Sequence, residues 1–289
     1  MNKLNMFQKK SENFLSNKTI FLTGACGSIG SALSKKINEY NPKQLILFDQ
    51  DETGIFNLEN KIVNSIGILG NIRDTEKLEK VFKEYKPDLV IHAAAYKHIG
   101  LCERYPEEAY KNNIVGTGNV ISISKKYGAK FILISTDKAV NPTSMMGASK
   151  KECEDMTLKQ GGTVVRFGNV AASRGSVVPI FQEQIEKNEP ITLTDKRMTR
   201  FFMGIYEAVD LIIKAIMLSR GGEIFILDMG EPIKIYDLAK LMIKLSGKDI
   251  PIIEVGIRKG EKLDEILMTD EEKKRAIKKN GLWIIQNSV

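Results

Sequence analysis

Thr19-Ile-Phe-Leu-Thr-Gly24-Ala-Cys-Gly27-Ser-Ile-Gly30 runs from a short apolar segment into three glycines spaced three residues apart. The apolar start reads as a buried strand, and a helical period begins at Ser28. Between them, Gly24 allows a tight turn and Gly27 lets the backbone approach a pyrophosphate. Gly30 lets the helix lie close to the strand, and the helix N-terminus faces the negative charge. Glycines at this spacing are weak evidence alone; a strand before them and a helix after them make a dinucleotide-binding loop. Cys26, Ser28 and Ile29 complete that loop and the first helical turn.

The same rhythm continues outward. Gln44–Phe48, Ile66–Leu69, Asp88–Ile91, Lys130–Ile134 and Thr163–Val165 are short apolar runs. Near-continuous hydrophobicity of this kind suits a parallel sheet covered on both faces. Helical periods lie between them, at Ser28–Tyr40, Glu52–Asn64, Asp74–Tyr85, Glu107–Tyr127 and Met146–Lys159. The alternation predicts an α/β fold with a Rossmann-type doubly wound parallel sheet. Beyond Arg166 the rhythm loosens. Helices are expected at 180–187, 206–218, 235–245, 261–267 and 269–279, and extended segments at 191–193, 223–227, 252–255 and 282–285. The expected organisation is an N-terminal arm over 1–17, a dinucleotide-binding domain over 18–168, and a smaller, interleaved α/β substrate-binding domain over 169–289.

Asp49 ends the second strand, on the order of 20 residues past the glycine loop, where a carboxylate accepts the ribose hydroxyls of NAD and repels a 2′-phosphate. No Arg adjoins it, so the expected cofactor is NAD. Asn71 and Ile72 follow the third strand and are expected beside adenine. Ala93, Ala94 and Ala95 follow the fourth, their small side chains allowing close approach of the cofactor.

The 289 residues are 43% hydrophobic and 27% charged, the balance of a water-soluble globular chain. No apolar run approaches the roughly 20 residues of a membrane span, and the polar N-terminus lacks the apolar centre of a signal peptide; a cytoplasmic location and no membrane partner are expected. The net charge of +7 comes from lysines spread among glutamates, without an aromatic-rich basic segment, so nucleic acid is not an expected partner. Cys26, Cys102 and Cys153 form no CxxC pair, and no metal site is expected.

Ser135-Thr-Asp-Lys-Ala-Val-Asn-Pro-Thr-Ser-Met-Met-Gly-Ala-Ser-Lys150 carries the candidate chemistry. Together with the glycine loop and the stretches His92–His98, Lys111–Thr117, Val165–Val170, Ser173–Pro179, Met198–Met203, Leu227–Pro232 and Arg258–Leu263, it resembles the extended short-chain dehydrogenase/reductases. Within them it is similar to the nucleotide-sugar 4,6-dehydratases of polysaccharide and glycan biosynthesis, in particular the UDP-N-acetylglucosamine 4,6-dehydratases. The motifs span residues 18 to the end. In the superfamily pattern a Ser or Thr precedes Tyr-x-x-x-Lys; here Thr136 and Lys150 are in place, but Met146 stands where the tyrosine would be. A thioether cannot exchange a proton in its stead. One branch of these dehydratases carries Met at that position, so Met146 marks a lineage.

The resemblance implies a lyase that oxidises C4 of a nucleotide-activated N-acetylhexosamine, eliminates water across C5 and C6, and returns the hydride to C6. UDP-GlcNAc is the first candidate substrate, with GDP and other nucleotides open. It implies that Thr136 bonds the C4 hydroxyl, Lys150 holds the nicotinamide ribose, Asp137 is the acid for water loss and Lys138 the base at C5. The C4 proton is left three acceptors: Asp137, a water held by Thr136 and Lys150, or Lys138. Sugar and diphosphate contacts are expected from Lys97, His98, Asn169, Arg174, Pro179, Arg200, Arg258 and Glu261. A homodimer or higher homo-oligomer is expected through the helices at 107–127 and 146–159. C5 stereochemistry stays open, with the Met branch pointing to retention. Two competing readings are a nucleotide-sugar 4-epimerase of the same fold and a silent NAD-binding regulatory protein.

Overall fold

The computed structural model describes residues 11–171 and 173–286. The first ten residues of the expected N-terminal arm lie outside that range; residues 11–15 are helical (α1). Strands β1 (Thr19–Thr23), β2 (Gln44–Asp49), β3 (Ser65–Leu69), β4 (Leu89–His92), β5 (Lys130–Thr136) and β6 (Thr163–Phe167) form where the apolar runs predict them. Helices α2 (Ser28–Asn38), α3 (Glu52–Glu59) and α4 (Thr75–Tyr85) connect the first four, and α8 (Met145–Lys159) follows β5. With β11 (Glu223–Leu227), β14 (Ala276–Lys279) and β15 (Leu282–Gln286) from the second half, strand order in the nine-stranded sheet is β14-β15-β11-β6-β5-β4-β1-β2-β3. Its 3-2-1-4-5-6 portion is parallel throughout and reverses direction of winding at β1, which opens a crevice between the C-terminal ends of β1 and β4.

Helices cover both faces, so β1, β4 and β6 are buried along their full length. On one face Leu33 and Ile37 of α2 pack with Ile212 and Ile216 of α10 (Ile205–Leu218). On the other, Phe82 of α4 stacks edge-on to Phe21 at 4.9 Å, among Val120 and Ile123 of α7 (Gly116–Lys126). Asp51, Asp74 and Ser144 cap α3, α4 and α8 by accepting the backbone N–H of Gly54, Lys77 and Gly147.

The second half adds strands to the large sheet and builds a small core of its own. Its strands β11 (Glu223–Leu227), β14 (Ala276–Lys279) and β15 (Leu282–Gln286) extend the large sheet, β11 parallel to β6 and β15 antiparallel to β11. A separate small core gathers Phe181 and Ile185 of α9 (Val177–Glu186), Ile191 and Leu193 of β8 (Ile191–Leu193), and Ile235 and Ala239 of α11 (Ile235–Ser246). Among the described residues no helix is long and apolar enough to cross a membrane.

Several expectations are corrected. Residues 261–267 are not helical, because Thr199 N–H and the Arg200 guanidinium take the Leu263 carbonyl that a helix would need. The expected helix 269–279 stops at Arg275 (α12, Asp270–Arg275) and β14 follows. Asn280 and Gly281, at φ +56° and +77°, turn the chain into β15 as Asn-Gly does in hairpins. The helix expected over 52–64 ends at Glu59. The one expected over 107–127 is broken into α6 (Pro106–Ala109), a π-helical turn (Tyr110–Val115) and α7. Helix α5 (Ile99–Arg104) falls where none is expected.

Candidate active site

The glycine loop lies against the chain leaving β4. Gly24 has φ +67°, and a Cβ there would stand 2.6 Å from Ala94 N and 2.7 Å from the Ala93 carbonyl carbon. A Cβ on Gly30 would stand 2.0 Å from Gly24 O, so the loop and α2 pack backbone to backbone. The N-terminus of α2 has no side-chain cap and no acidic residue in its first turn, which leaves its N–H groups for an anion. A cavity of about 270 Å³ opens there, lined by Gly24, Asp49, Asn71, Ala94, Tyr96 and Arg174 among others.

Asp49 holds the loop from the side: its carboxylate accepts Cys26 N–H at 2.9 Å and Asp51 N–H at 3.1 Å. Burial, then the charges of Asp49 and Asp51, push the Cys26 thiol up to about 12, so it lines the cavity as a neutral group. Asn71 donates to Gln50 Oε1 at 2.8 Å, and buried Ile72 packs under Gly116. Tyr96 and Asn112 join the lining without having been expected there. Asn113, next to Asn112 in the π-turn, clasps both N–H and C=O of Tyr96 and reaches Ser149 Oγ at 2.9 Å. That placement depends on the π-turn, which apolar periodicity does not announce.

Strand β5, next to β4 in the sheet, carries the candidate catalytic segment at its C-terminal end. Thr136 ends it, and Asp137–Ala139 form a 3₁₀ turn. Thr136 Oγ1 donates to Asp137 Oδ1 at 2.8 Å, and Lys138 Nζ reaches the same oxygen at 2.9 Å and Asn169 Oδ1 at 3.2 Å. Asp137 is fully buried and its Oδ2 has no hydrogen-bond partner. Gly168 flanks that oxygen: a Cβ there would come within 3.0 Å of it. Lys150, buried on α8, donates to Ile134 O at 2.8 Å; burial holds its amine below the ordinary lysine range. Met146 is 2% exposed and packs with Cys102 and Ala109, with Ile99 and Met145 against them. It is an apolar wedge between α5, α6 and α8.

The expected substrate contacts spread over three places. Lys97 donates to Arg174 O at 2.7 Å, and burial, then the charges of Arg174 and Lys138, lower its amine. His98 stands over Gly175, whose Cβ would lie 2.6 Å from the imidazole Cε1. Asn169 faces Lys138. Arg174 leans the other way: its N–H meets Ser28 Oγ at 3.0 Å and its guanidinium the Cys26 carbonyl, at the cofactor cavity. Arg200 is buried, donating to the carbonyls of Thr199, Lys262 and Leu263. Arg258 is exposed, Pro179 half-buried in α9, and Glu261 half-buried with Oε2 enclosed and unpartnered.

The loop Arg258–Leu263 is fastened onto the candidate segment 135–150: Thr143 Oγ1 donates to Gly260 O at 3.0 Å and Lys262 Nζ to Val140 O at 2.7 Å. Glu265, which sequence reading did not single out, is buried behind it, 3.9 Å from Lys138 Nζ and 3.4 Å from Lys262 Nζ. A Glu in an apolar-polar mixed stretch gives no local signal that it turns inward.

Comparison with known proteins gives the family. Residues 20–287 match the polysaccharide biosynthesis protein family, and the chain belongs to it. It is 45% identical to the probable polysaccharide biosynthesis protein EpsC of Bacillus subtilis, over 90% of this chain and 46% of that one; it thus spans about half the length of that relative. It is 36% identical to a UDP-glucose 4-epimerase of Rickettsia akari, over 93% of this chain and 83% of that one. Identity is 35% to an inverting UDP-N-acetylglucosamine 4,6-dehydratase of Campylobacter jejuni, over 94% and 84%. The solved structure of Pen from Bacillus thuringiensis superposes with a TM-score of 0.90 at 35% identity, covering 94% of this chain and 89% of Pen. Two of these relatives are named as enzymes of nucleotide sugars, and Pen shares this chain's fold.

Proposed function

We propose that this chain is an NAD-dependent 4,6-dehydratase of a nucleotide-activated N-acetylhexosamine, with UDP-GlcNAc as its first candidate substrate. The observation that carries the reading is the run Thr136–Asp137–Lys138: a hydroxyl and an amine share one carboxylate oxygen, while the other oxygen is buried and unpartnered. The glycine loop, the uncapped start of α2 and Asp49 fit a dinucleotide. NAD, when bound there, supplies the oxidation at C4 and the reduction at C6.

The chain's own residues then handle the protons. For these roles Asp137 must accept a proton and Lys138 must offer a lone pair. As C4 is oxidised, its hydroxyl proton passes to Thr136 Oγ1, and Thr136 passes its own proton to Asp137 Oδ1. Among the three acceptors open from sequence, the Thr136–Asp137 hydrogen bond favours Asp137. The C4 ketone acidifies C5, Lys138 takes the C5 proton, and Asp137 returns its proton to the departing C6 hydroxyl. Water leaves, C6 is reduced, and Lys138 gives its proton back to C5. The oxygen lost from C6 thus leaves with the proton that Thr136 passed to Asp137, the C4 proton takes its place on Thr136, and no base is consumed. Positioned proton transfers of this kind contribute about 10²–10⁴-fold each. Lys97, His98 and Asn169 line the sugar side, with Arg258 and Glu261 on the overlying loop.

A second reading has an observation of its own, since a relative named UDP-glucose 4-epimerase is 36% identical. Epimerisation has no use for an acid that delivers a proton to C6, which an Asp137–Lys138 pair provides. Incubation with UDP-GlcNAc, GDP-GlcNAc and UDP-glucose in deuterated water, followed by NMR, separates the two. A 4-keto-6-deoxy product labelled at C5 is expected. A 4-epimer without water loss would establish the second reading, and binding of NAD without any product would defeat both.

A further inference from the structure

Lys138 is not held by its own turn alone. Among the described residues, its Nζ faces Asp137 from the 3₁₀ turn, Asn169 from the chain after β6, and Glu265 from the chain after the 258–263 loop. Lys97, on the chain after β4, is close enough for its charge to be felt. Glu265 has 2% of its side chain exposed, with one oxygen 3.9 Å from Lys138 Nζ and the other 3.4 Å from Lys262 Nζ. A carboxylate so buried is costly unless partnered, and here two lysine side chains from different segments, Lys138 and Lys262, face it.

Glu265 is itself braced. Thr199 Oγ1 bonds Asp264 Oδ1 at 2.6 Å, Thr199 N–H bonds Leu263 O at 3.0 Å, and Arg200 holds the carbonyls of Lys262 and Leu263. Lys262 then ties the loop to Val140, the residue that closes the 3₁₀ turn carrying Asp137 and Lys138. The carboxylate is thus fixed to the same short turn it faces.

We infer that Glu265 is a positioning residue for Lys138, holding the amine and supplying a fixed counter-charge at the C5 step; this rests on the dehydratase reading above. The need arises from the proton sequence. Once Asp137 has taken the proton from Thr136 it is neutral, so Glu265 becomes the remaining carboxylate facing Lys138 just as that amine becomes an ammonium. Lys138 then keeps a charged partner through elimination and stays aimed at C5. Arg200 acts one step further back, by holding the turn that carries Glu265.

The test compares the full chain with Glu265→Gln and Glu265→Asp, on UDP-GlcNAc. Gln retains the shape and removes the charge. The expected result is unchanged C4 oxidation, seen as reduced nicotinamide accumulating at 340 nm, with kcat for the 4-keto-6-deoxy product falling about 10²-fold, the loss that follows a misplaced catalytic group. KM stays within about threefold, and substrate deuterated at C5 shows a larger isotope effect than with the parent enzyme. Glu265→Asp keeps the charge and retracts it, and is expected to fall between the two. A purely structural role predicts the reverse pattern: activity lost in proportion to melting temperature and bound NAD, without accumulation at 340 nm. That pattern, or turnover at the parent rate, overturns the inference. Should the Gln variant not fold, the Asp variant decides alone, by accumulating reduced nicotinamide or failing to. A parent enzyme that yields no dehydrated product overturns the dehydratase reading, and this inference with it; an active parent with unaffected variants overturns this inference only.

Discussion

Thr136 and Asp137 are joined by a 2.8 Å hydrogen bond in which the hydroxyl donates to the carboxylate, and that direction orders the proton traffic. A hydroxyl that already donates to a carboxylate is ready to receive a proton from a sugar hydroxyl. Thr136→Val keeps the shape and removes the relay. We expect kcat for dehydration to fall by about 10²–10⁴-fold, with NAD still bound, as measured by NMR of the product. Asp137→Asn should lose as much or more, because it removes acceptor and donor together. Turnover within a factor of two of the parent in either variant would remove the relay from the mechanism.

Restoring a tyrosine should not help. Met146 is buried among Cys102, Ala109, Ile99 and Met145, so the Met146→Tyr side chain would enter an apolar cluster, larger and bearing a hydroxyl. Overpacking of this kind costs about 1–3 kcal/mol. The expected outcome is a lower melting temperature and no gain in turnover. A variant that gains activity would show that the ring can reach the C4 oxygen after all.

Gly24 tolerates no side chain. Its φ of +67° disfavours an L-residue by about 1–2 kcal/mol, and the added Cβ would meet the backbone of Ala93 and Ala94. For Gly24→Ala we expect weakened NAD binding by calorimetry together with a lowered melting temperature. Parent-like affinity would mean that the β1 and β4 loops move apart freely.

Glu154 and Arg166 form a buried pair, 0% and 1% exposed, at 2.7 Å. Glu154→Gln leaves a guanidinium short of charge in the core, and breaking such a pair costs about 3–5 kcal/mol. Urea unfolding should register it as a lower midpoint; an unchanged midpoint would mean that Glu272 and solvent compensate in full.

Acid should loosen the same region. Burial pushes the Glu272 carboxyl up, but hydrogen bonding and the charge of Arg166 outweigh it and hold the group below its ordinary 4.5. A carboxyl depressed in the folded state adds stability above its unfolded value, and that contribution disappears as pH falls through the folded one. Stability should therefore decline below about pH 4.5, and Glu272→Gln should flatten part of that decline. Parallel acid-unfolding curves for the two proteins would deny Glu272 a share in it.

The parallel half of the fold was legible because its strands other than the edge strand β3 are buried along most of their length and its helices on one face, a pattern composition records residue by residue. Asn280-Gly281 was present in the sequence too, but the lysine-rich run before it imitates a helix face, and the turn decided otherwise. Thr136, Asp137, Lys138 and Asn169 were found from sequence and meet in space. Arg200 and Arg174 were also singled out, yet their surroundings could not be read: Arg200 braces a turn, and Arg174 reaches the glycine loop. Glu265 was invisible because its importance lies in a contact across 127 residues, from position 138 to 265. Distance along the chain hides what burial then reveals.

The Arg166 network also sets a timetable for synthesis. Strand β6 carries its arginine into the middle of the sheet, but one of the two carboxylates facing that charge belongs to α12, more than a hundred residues later. While the ribosome is still making the second half, the Rossmann strands can assemble, but the guanidinium waits partly answered and β11 waits without β15. The stretch from α12 to β15 completes what the first six strands begin, so a fragment ending before α12 would carry a guanidinium only partly answered at its centre and a β11 edge left open.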